Sequence, residues 1–359
     1  MAEINFQSHS KVTLATKTME LIAHYLNADQ CGQFRQHLKD LMPQMDDAYR
    51  GSESKYRSHQ GASGIGNECE REIQLKWHWT VQAKFDHRIL RLFNRGHLEE
   101  ARFLAILKCL PEVNLWYVTE DGGQFKFSDH GGHYGSALDG IATGIPDVPM
   151  GAPVYTEFKT ASDSKFNGFV KNGVRKENFT YYVQCQQCMK YYNLGYTLFM
   201  VVNKNTDELY AEILTYDQEI ADKYSERAGK IIFSTEALPR ISNHSTFWKC
   251  RFCDVKAICH GKDVPDVNCR TCSHWSPLPD GSYSCARGNN AVVSNSELSW
   301  EGCDQHVFNP TLLSSYEFVG GSDKGNYSIL KHPRGMEFKQ GPDYVTSYEL
   351  KIIGTKYAG

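Results

Sequence analysis

The stretch PVYTEFKTA, residues 153–161, decides the fold prediction. Alternation along a strand places Glu157 and Lys159 on the same face, because successive side chains point to opposite sides. Upstream, YGSALDG (134–140) is predicted as a second strand that carries Asp139. The Pro- and Gly-rich segment between the two, TGIPDVPMGAP, predicts a turn that folds them into a hairpin. Asp139 and Glu157 are therefore expected to converge on one divalent cation, with Lys159 beside it.

Two carboxylates and a lysine in this arrangement suit phosphodiester hydrolysis. Hard carboxylate oxygens bind Mg²⁺ or Mn²⁺, and the metal lowers the pKa of a bound water and neutralises charge on phosphorus. The lysine can orient the nucleophile or stabilise the developing charge. Taken alone, E-x-K is a common tripeptide, and an exposed acid–base pair on a strand edge is the alternative. The surrounding segments must decide between the two.

Segments on both sides of the hairpin alternate between helix and strand patterns. A Gly/Ser-rich stretch, GSESKYRSHQGASGIG, is predicted as a linker. Helices interleaved with strands on this scale predict an α/β fold. The predicted elements are helices within 1–50, from Cys69 to about Leu110, from about Glu177 to Asn193 and from about Gln218 to Phe233, and strands at 196–202 and 209–216.

Composition limits the classes of function. With 41% hydrophobic and 23% charged residues among 359, the chain is typical of a globular protein, and its net charge of −3 means that any DNA contact must come from a local patch. The opening MAEINFQSHS lacks a signal-peptide pattern and no apolar run approaches transmembrane length, which predicts a cytoplasmic protein with no membrane contact. Twelve cysteines are then expected to be metal ligands or buried thiols rather than disulfides. Those predicted to be buried thiols are Cys31, Cys109, Cys185 and Cys188.

The order of these motifs resembles the PD-(D/E)xK nuclease superfamily: an aspartate, then E-x-K after a hairpin, then a glutamine-bearing helix, here YYVQCQQCMKYYNLG. The resemblance implies a restriction-endonuclease-like core, a mixed central sheet flanked by helices, with DNA as the substrate. The helix glutamine is Gln184 in the register of phage-type exonucleases and Gln187, followed by Tyr191, in the RecB register. Gln184 is slightly favoured and both registers stay open. The implied catalytic residues are Asp139, Glu157, Lys159 and Gln184.

Two further features are similar to the iron–sulfur RecB-like nucleases, among them CRISPR-associated RecB-like exonucleases and AddB-type subunits. His97, within FNRGHLEEARFL, matches their upstream histidine, so the implied Mg²⁺ or Mn²⁺ ligands are His97, Asp139 and Glu157. A lone cysteine in GNECEREIQLKW and a late C-x2-C-x5-C group match the four thiolates that hold a structural [4Fe–4S] cluster in that family. Zinc is the alternative for the same thiolates. The implied cluster ligands are Cys69, Cys250, Cys253 and Cys259.

A second cysteine group follows in a loop-rich stretch. A C-x2-C knuckle with two later ligands is typical of a zinc ribbon. His306 could replace Cys303, because both lie in EGCDQH. The role of this module is open: a DNA contact, a docking site for a partner or a stabilising clip. The predicted zinc ligands are Cys269, Cys272, Cys285 and Cys303.

Aromatic residues interleaved with cations occur in SDSKFNGFVKNGVRKENFTYY, just after the E-x-K strand. The pattern predicts a loop at which DNA enters, with bases stacked on Phe166, Phe169 and Phe179. A solvated loop edged by core aromatics is the alternative. The expected phosphate contacts are Lys165, Lys171, Arg175 and Lys176.

The sequence thus predicts a metal-dependent DNA exonuclease that serves recombination or DNA end processing. A phage origin, a recombination or single-strand-annealing partner and homo-oligomerisation are further expectations. One alternative is a nuclease-fold adaptor in a DNA-integration or helicase complex with little free activity, and another is a metal-clipped DNA-binding module. The predicted parts are an N-terminal helical region and linker (1–60), a nuclease core closed by the Fe–S cluster (61–262), a zinc ribbon (263–310) and a β-rich tail (311–359).

Overall fold

The structure, a computed structural model, describes residues 12–45 and 56–356. The ends of the predicted N-terminal region, the first part of the predicted linker and the last three residues of the predicted tail lie outside the described residues. The chain divides into two compact units, each discontinuous in sequence. Among the described residues, the first comprises residues 12–45, 85–127 and 136–222, and the second comprises residues 56–84, 128–135 and 223–356.

The described residues form the following elements. The helices are α1 (Thr16–Asp29), α2 (Gly32–Leu41), α3 (Ala62–Ile65), α4 (Glu70–Trp77), α5 (His87–Lys108), α6 (Asp163–Glu177), α7 (Phe179–Tyr192), α8 (Gln218–Phe233), α9 (Trp248–Arg251), α10 (Lys256–Cys259) and α11 (Ser347–Lys356). The strands are β1 (Gln60–Gly61), β2 (Asn114–Trp116), β3 (Lys126–Asp129), β4 (Tyr134–Ala137), β5 (Gly140–Thr143), β6 (Val154–Ala161), β7 (Tyr196–Asn203), β8 (Leu209–Thr215), β9 (Trp275–Pro277), β10 (Tyr283–Cys285), β11 (Ala291–Val293), β12 (Glu317–Gly321), β13 (Ser328–Lys331) and β14 (Glu337–Gln340).

A mixed sheet with the strand order β2-β5-β6-β7-β8 forms the centre of the first unit. Strands β6 and β7 are parallel, and the other neighbouring pairs of this sheet are antiparallel. The parallel pair is connected through α6 and α7, because parallel neighbours need a crossover. The predicted α/β class with a mixed, helix-flanked central sheet is therefore confirmed. None of the helices in the described ranges is both long and apolar enough to cross a membrane.

The N-terminal helices α1 and α2 belong to the same hydrophobic core as the sheet. Ile22 and Leu41 are buried together with residues of α5 and of the strands β5 to β8. The amide of Ala15 donates to the carbonyl of Ala211 on β8, at 3.0 Å. Short helices gain most of their stability from such tertiary packing of an apolar face. The first unit is thus held by one core that spans the N-terminal helices and the sheet.

The prediction of a linker is wrong for its described part, residues 56–66. Ala62 and Ile65 are fully buried, and the Tyr56 ring stacks on Trp79 with 5.2 Å between centroids. The Gly- and Ser-rich composition suggested a flexible linker. In the structure, the small residues of this segment belong to closely packed chain.

The second unit contains two antiparallel sheets, with the strand orders β11-β10-β9 and β12-β13-β14. The tail was predicted to be β-rich, but it ends in the helix α11. Leu350 of that helix is buried with Phe308 and Leu330 in one hydrophobic cluster. The predicted ribbon and tail segments therefore share a core.

A fully buried arginine, Arg270, lies inside the second unit. Its guanidinium carbon is 4.0 Å from the ring centroids of both Trp77 and Trp79. The guanidinium also donates to the Trp77 carbonyl at 3.1 Å and to the Tyr283 hydroxyl at 2.7 Å. Burial lowers the pKa of Arg270 to about 10, which still leaves it charged at neutral pH. Attraction to two indole faces offsets part of its desolvation.

Trp79 also explains why the single helical run predicted from Cys69 to about Leu110 is divided into the two helices α4 and α5. The pattern from Cys69 to about Leu110 predicted a helical run, but α4 ends at Trp77 and α5 begins at His87. Trp79 has a φ of 56°, in the left-handed region that interrupts a right-handed helix. Its buried ring contributes to the site of Arg270 instead of continuing α4.

Substitution of Arg270 by alanine is expected to lower the free energy of unfolding by at least ~3 kcal/mol. A desolvated cation–π contact contributes up to about 2 kcal/mol, and a hydrogen bond to a charged group about 1.5–3 kcal/mol. Urea unfolding followed by circular dichroism measures the change. The exposed Arg251 provides the control, because Arg251→Ala should leave stability near that of the wild type. Equal stability of the two variants would contradict the structural role of Arg270.

Two buried histidines make the second unit sensitive to acid. His78 Nδ1 lies 2.7 Å from the carbonyl oxygen of Arg270, and burial lowers the pKa of His78 to about 4. His306 contacts Ser347 Oγ at 2.7 Å and the carbonyl of Asn268 at 3.0 Å. Burial lowers its pKa, too, to about 4. Both imidazoles are therefore neutral at physiological pH.

We expect the free energy of unfolding to fall as the pH decreases from about 6.5 to about 4. Unfolded histidine binds a proton near pH 6.5, whereas His78 and His306 in the folded chain resist protonation until about pH 4. The unfolded state then binds more protons, so acid favours it by up to roughly 3 kcal/mol per histidine. Urea unfolding across this interval measures the slope. His78→Gln should reduce the slope, and an unchanged slope in that variant would refute the assignment.

Candidate active site

The central strand β6 carries Glu157 and Lys159 in direct contact. Lys159 Nζ donates to Glu157 Oε1, as expected for residues two apart on one strand face. Glu157 is fully buried, whereas the Lys159 side chain is 21% exposed. The Lys159 amine also lies 5.1 Å from the centroid of the Tyr181 ring on α7. The ammonium is thus held between a carboxylate and an aromatic face while it keeps some access to solvent.

Asp139 joins this pair from the turn between β4 and β5. The prediction that Asp139 lies on a strand is wrong, because β4 ends at Ala137 and β5 begins at Gly140. Gly140 pairs with Thr156 in the antiparallel register, so one residue further on Asp139 lies opposite Glu157. Its Oδ2 accepts a hydrogen bond from the Phe158 amide at 2.8 Å.

Gly140 allows this close approach of the two segments. A Cβ there would lie 2.8 Å from Thr156 Oγ1 and 3.2 Å from the carbonyl oxygen of Trp116. A larger residue would force β5 away from its neighbours and move the carboxylate of Asp139.

The site holds a buried carboxylate, Glu157, a half-buried one, Asp139, and one ammonium. Burial raises the pKa of Asp139, and the Lys159 charge and the Phe158 amide lower it in part. Burial also raises the pKa of Glu157, and the Asp139 charge adds to that rise. Burial alone would lower the pKa of Lys159. The negative charges of Glu157 and Asp139 have the larger effect, so the pKa of Lys159 is raised. The lysine therefore stays charged, whereas the raised pKa values of Asp139 and Glu157 show that ionising both carboxyls here is unfavourable.

Helix α7 supplies the glutamine of this site. Gln184 Nε2 donates to Glu157 Oε2 at 3.3 Å. Gln184 Oε1 is buried and has no hydrogen-bond partner among the described residues. Gln187 instead donates to the carbonyl of Ala221 at 2.8 Å, and Tyr191 stacks on Phe127. The structure thus brings Gln184, rather than Gln187, to Glu157.

A cleft of about 320 Å³ opens beside Lys159. His97 lines it from α5, but no three His, Cys, Asp or Glu side chains within 12–45 and 56–356 are grouped closely enough to hold a metal ion. His97 is therefore near Lys159 without forming a three-ligand set with Asp139 and Glu157. The sequence analysis did not identify several residues that line the cleft. Two of them, Glu99 and Glu100, follow His97 closely in the sequence, and that position was a signal for them. The missed residues include Phe93, Glu99, Glu100, Tyr181 and Lys204.

The lysine-rich segment after β6 is not the predicted DNA-entrance loop. It forms the helix α6, and Phe166 and Phe169 are buried in the core, so they cannot stack bases. Arg175 pairs with Asp217 at 3.4 Å and lies over the Tyr182 ring. Spacing of the two phenylalanines at i and i+3 suits a helix face, but the glycines and asparagines suggested a loop. The exposed cations of this helix are Lys165, Lys171 and Lys176.

Three of the four predicted cluster cysteines lie near one another in the second unit. Cys69 precedes α4, Cys250 lies in α9 and Cys259 ends α10. Burial raises the pKa of Cys250, and the charge of Cys69 adds to the rise. Burial likewise raises the pKa of Cys259, with Arg240 and Arg71 opposing and with Cys69 and Cys250 adding to it.

The fourth, Cys253, packs beside Cys259 against a cluster that contains Leu75 of α4. Burial, followed by the charge of Glu72, raises its pKa to about 12. Cys69, Cys250 and Cys259 thus interact electrostatically, with Arg71 and Arg240 acting on Cys259, but no three of the four thiols are grouped closely enough in the described residues to hold a metal ion.

The predicted zinc cysteines also approach one another. Burial raises the pKa of Cys269, and the hydrogen bond from the Ser299 amide lowers it in part. The charges of Cys303 and Cys285 add to the rise. Burial raises the pKa of Cys272 to about 11, with smaller contributions from the same two cysteines. Cys269 and Cys272 therefore interact electrostatically with Cys285 and Cys303, although among the described residues no three of these side chains are grouped closely enough to hold a metal ion.

Backbone amides point at the two knuckle thiols. The Ser299 amide donates to Cys269 Sγ at 3.2 Å, and amides of His274 and Val307 oppose the pKa rise of Cys272. N–H groups directed at sulfur favour the thiolate form. His306, the predicted alternative to Cys303, has its ring nitrogens against Ser347 and Asn268.

Among the remaining cysteines, Cys109, Cys185 and Cys188 are buried as predicted. Cys31 is exposed, so that prediction is wrong. It lies between α1 and α2 with a φ of 72°, where the tight turn keeps it out of the core.

Comparisons with known proteins give distant likenesses of fold. No protein-family model matches the chain, and no curated protein matches it. The alkaline exonuclease LHK-Exo from Laribacter hongkongensis is 14% identical, with a TM-score of 0.36, and the match covers 48% of this chain and 86% of that chain. The structure of LHK-Exo in complex with dAMP is 13% identical, with a TM-score of 0.35, and the match covers 48% of this chain and 86% of that chain. The protein SSO0001 is 11% identical, with a TM-score of 0.35, and the match covers 63% of this chain and 94% of that chain.

Proposed function

We propose that this chain is a metal-dependent DNA exonuclease with a PD-(D/E)xK-type centre, acting in recombination or DNA end processing. The observation that carries the proposal is the contact set of Asp139, Glu157, Lys159 and Gln184 beside the cleft. A structural acid–base pair would not require a second carboxylate, the half-buried Asp139, opposite the first.

Asp139 and Glu157 are the residues that would hold the divalent cation. The charge of Asp139 adds to the raised pKa of Glu157, and both carboxylates act on the ammonium of Lys159. The unpartnered Gln184 Oε1 nearby would accept a hydrogen bond from a coordinated water. Bound Mg²⁺ or Mn²⁺ would lower the pKa of a water and neutralise charge on the scissile phosphate. His97 is a further proposed ligand, which would have to swing toward the pair.

The protein's own groups orient the reaction. Lys159 remains charged and partly exposed, so its ammonium can donate to the attacking water or to a phosphate oxygen. The Tyr181 ring limits where that ammonium can lie. Gln184 fixes one oxygen of Glu157, which leaves the carboxylate in a single orientation for the cation.

Cations on α5 support a nucleic-acid substrate. Arg88, Arg91 and Arg95 are exposed and follow one another at helical spacings of three and four, so they share a face. The same helix lines the cleft through Phe93. Exposed arginines on one helix face suit contacts to successive phosphates. The exposed lysines of α6 remain proposed phosphate contacts as well.

The two cysteine groups are proposed metal sites of the second unit. Cys69, Cys250, Cys253 and Cys259 would hold a [4Fe–4S] cluster, since Arg71 and Arg240 can offset the charge of four thiolates. The second group would hold zinc, supported by the amides directed at its knuckle thiols. Its proposed ligands are Cys269, Cys272, Cys285 and Cys303.

Cleavage of end-labelled DNA tests the proposed function. Anaerobically purified protein is incubated with linear single- or double-stranded DNA, with Mn²⁺, with Mg²⁺ or without added divalent ions. We expect degradation from the ends only where a divalent ion is present. Covalently closed circular DNA is the matched control and should stay intact. Equal cleavage of circles would show an endonuclease, and no cleavage of any substrate would refute the enzymatic proposal.

A further inference from the structure

Two large aromatic side chains are exposed in the second unit. Trp248 is 61% exposed and Phe252 is 85% exposed. They flank Cys250 within the segment FWKCRFCD. Singly exposed apolar residues are common, but two such rings within five residues are unusual for a surface that contacts only water.

The surface around these rings is basic, although the whole chain is slightly acidic. Residues 247–262 contain four lysine or arginine residues and one aspartate. Lys249 lies 5.1 Å from the Trp248 ring centroid. Positive charge is therefore concentrated at this surface.

Nearby carboxylates offset part of this charge. Glu68 forms an ion pair with Lys249. Asp254 pairs with Lys76 at 3.1 Å, and Lys76 also holds Glu72. These three carboxylates thus engage Lys249 and Lys76, and Arg251, which is exposed, adds to the positive side.

We infer that Trp248 and Phe252 form a stacking surface for single-stranded DNA, with the neighbouring cations on its phosphates. Rings alternating with cations are the combination that binds single strands without sequence preference, because every base offers a π-face. A duplex hides its base faces, so it would use only the charges. The inference rests on the proposed function, since it assumes that the substrate is DNA.

Binding is measured separately from cleavage. The Glu157→Gln protein, without added divalent ions, is titrated into a fluorescein-labelled single strand of twenty thymidines and into a duplex of equal length, and anisotropy is followed. Replacing both Trp248 and Phe252 by alanine should weaken single-strand binding at least ~10-fold, while duplex binding changes little. Arg251→Ala should reduce the slope of log affinity against log salt concentration by about one, because one fewer phosphate contact releases about one fewer counterion.

Two controls separate stacking from loss of structure. Phe318 on β12 is 54% exposed, and Phe318→Ala should not change binding. Trp248→Tyr together with Phe252→Tyr keeps two rings and should retain affinity. Unchanged binding by the alanine double variant would overturn the inference, as would an equal loss in Phe318→Ala. Cleavage of DNA that does not depend on these rings would leave the proposed function intact, whereas absence of any DNA binding would remove both proposals.

Discussion

Replacement of Glu157 by glutamine is expected to lower the rate of Mn²⁺-supported DNA cleavage by at least ~10²-fold. Glutamine keeps the shape of the side chain and can still contact Lys159 and Gln184. It removes the negative charge that would hold the cation together with Asp139. Single-turnover cleavage of end-labelled DNA measures the rate, and circular dichroism checks that the fold is retained.

Glu212 offers a matched control for this substitution. It is also a buried glutamate in the same sheet, on β8, but it accepts hydrogen bonds from the Tyr210 hydroxyl at 2.7 Å and the Val174 amide at 2.8 Å. Glu212→Gln should therefore retain cleavage near the wild-type rate. Wild-type activity in a folded Glu157→Gln protein would remove Glu157 from the catalytic assignment.

Cys69→Ser is expected to cause the second large effect, loss of iron and of stability. Anaerobically purified wild-type protein should be brown, with broad absorbance near ~400 nm from sulfur-to-iron charge transfer. The cluster would join Cys69 to a segment about 180 residues away, so its loss should cost at least ~4 kcal/mol by the loop-closure argument for a cross-link. Elemental analysis and urea unfolding measure both changes.

The exposed Cys31 provides the control, because Cys31→Ser should keep the iron content and the unfolding midpoint. Zinc without iron in anaerobically prepared wild-type protein would show that the four thiolates form a zinc site. Iron retained in full by Cys69→Ser would exclude Cys69 as a ligand.

The E-x-K strand could be predicted because local rules determine it, whereas the predicted hairpin was wrong in its first strand, since β5 (Gly140–Thr143) and not YGSALDG pairs with β6. Alternation put Glu157 and Lys159 on one face, and the Pro/Gly-rich turn joined β5 to β6. The location of Asp139 outside a strand was not predictable, since it depends on Gly140 fitting against Thr156 and the Trp116 carbonyl. Such steric fit appears only when three segments meet.

Composition misled where it competed with packing. The Gly- and Asn-containing segment around Phe166 and Phe169 is a helix whose aromatic residues face the core, and the described part of the Gly/Ser-rich linker is buried. In both segments tertiary packing outweighed local preference. The site of Arg270 was missed for a related reason. Nothing local indicates that a residue between two cysteines would insert between Trp77 and Trp79.

Electron paramagnetic resonance of bound Mn²⁺ tests the central claim, that Asp139 and Glu157 share a divalent cation. Titration of the wild-type protein should show a bound ion that is absent from both Asp139→Asn and Glu157→Gln and is present in Glu212→Gln. Hard Mn²⁺ prefers carboxylate oxygens over thiolates, so the cysteine groups should not obscure it. Equal Mn²⁺ binding by the wild type and by both active-site variants would contradict the proposed centre.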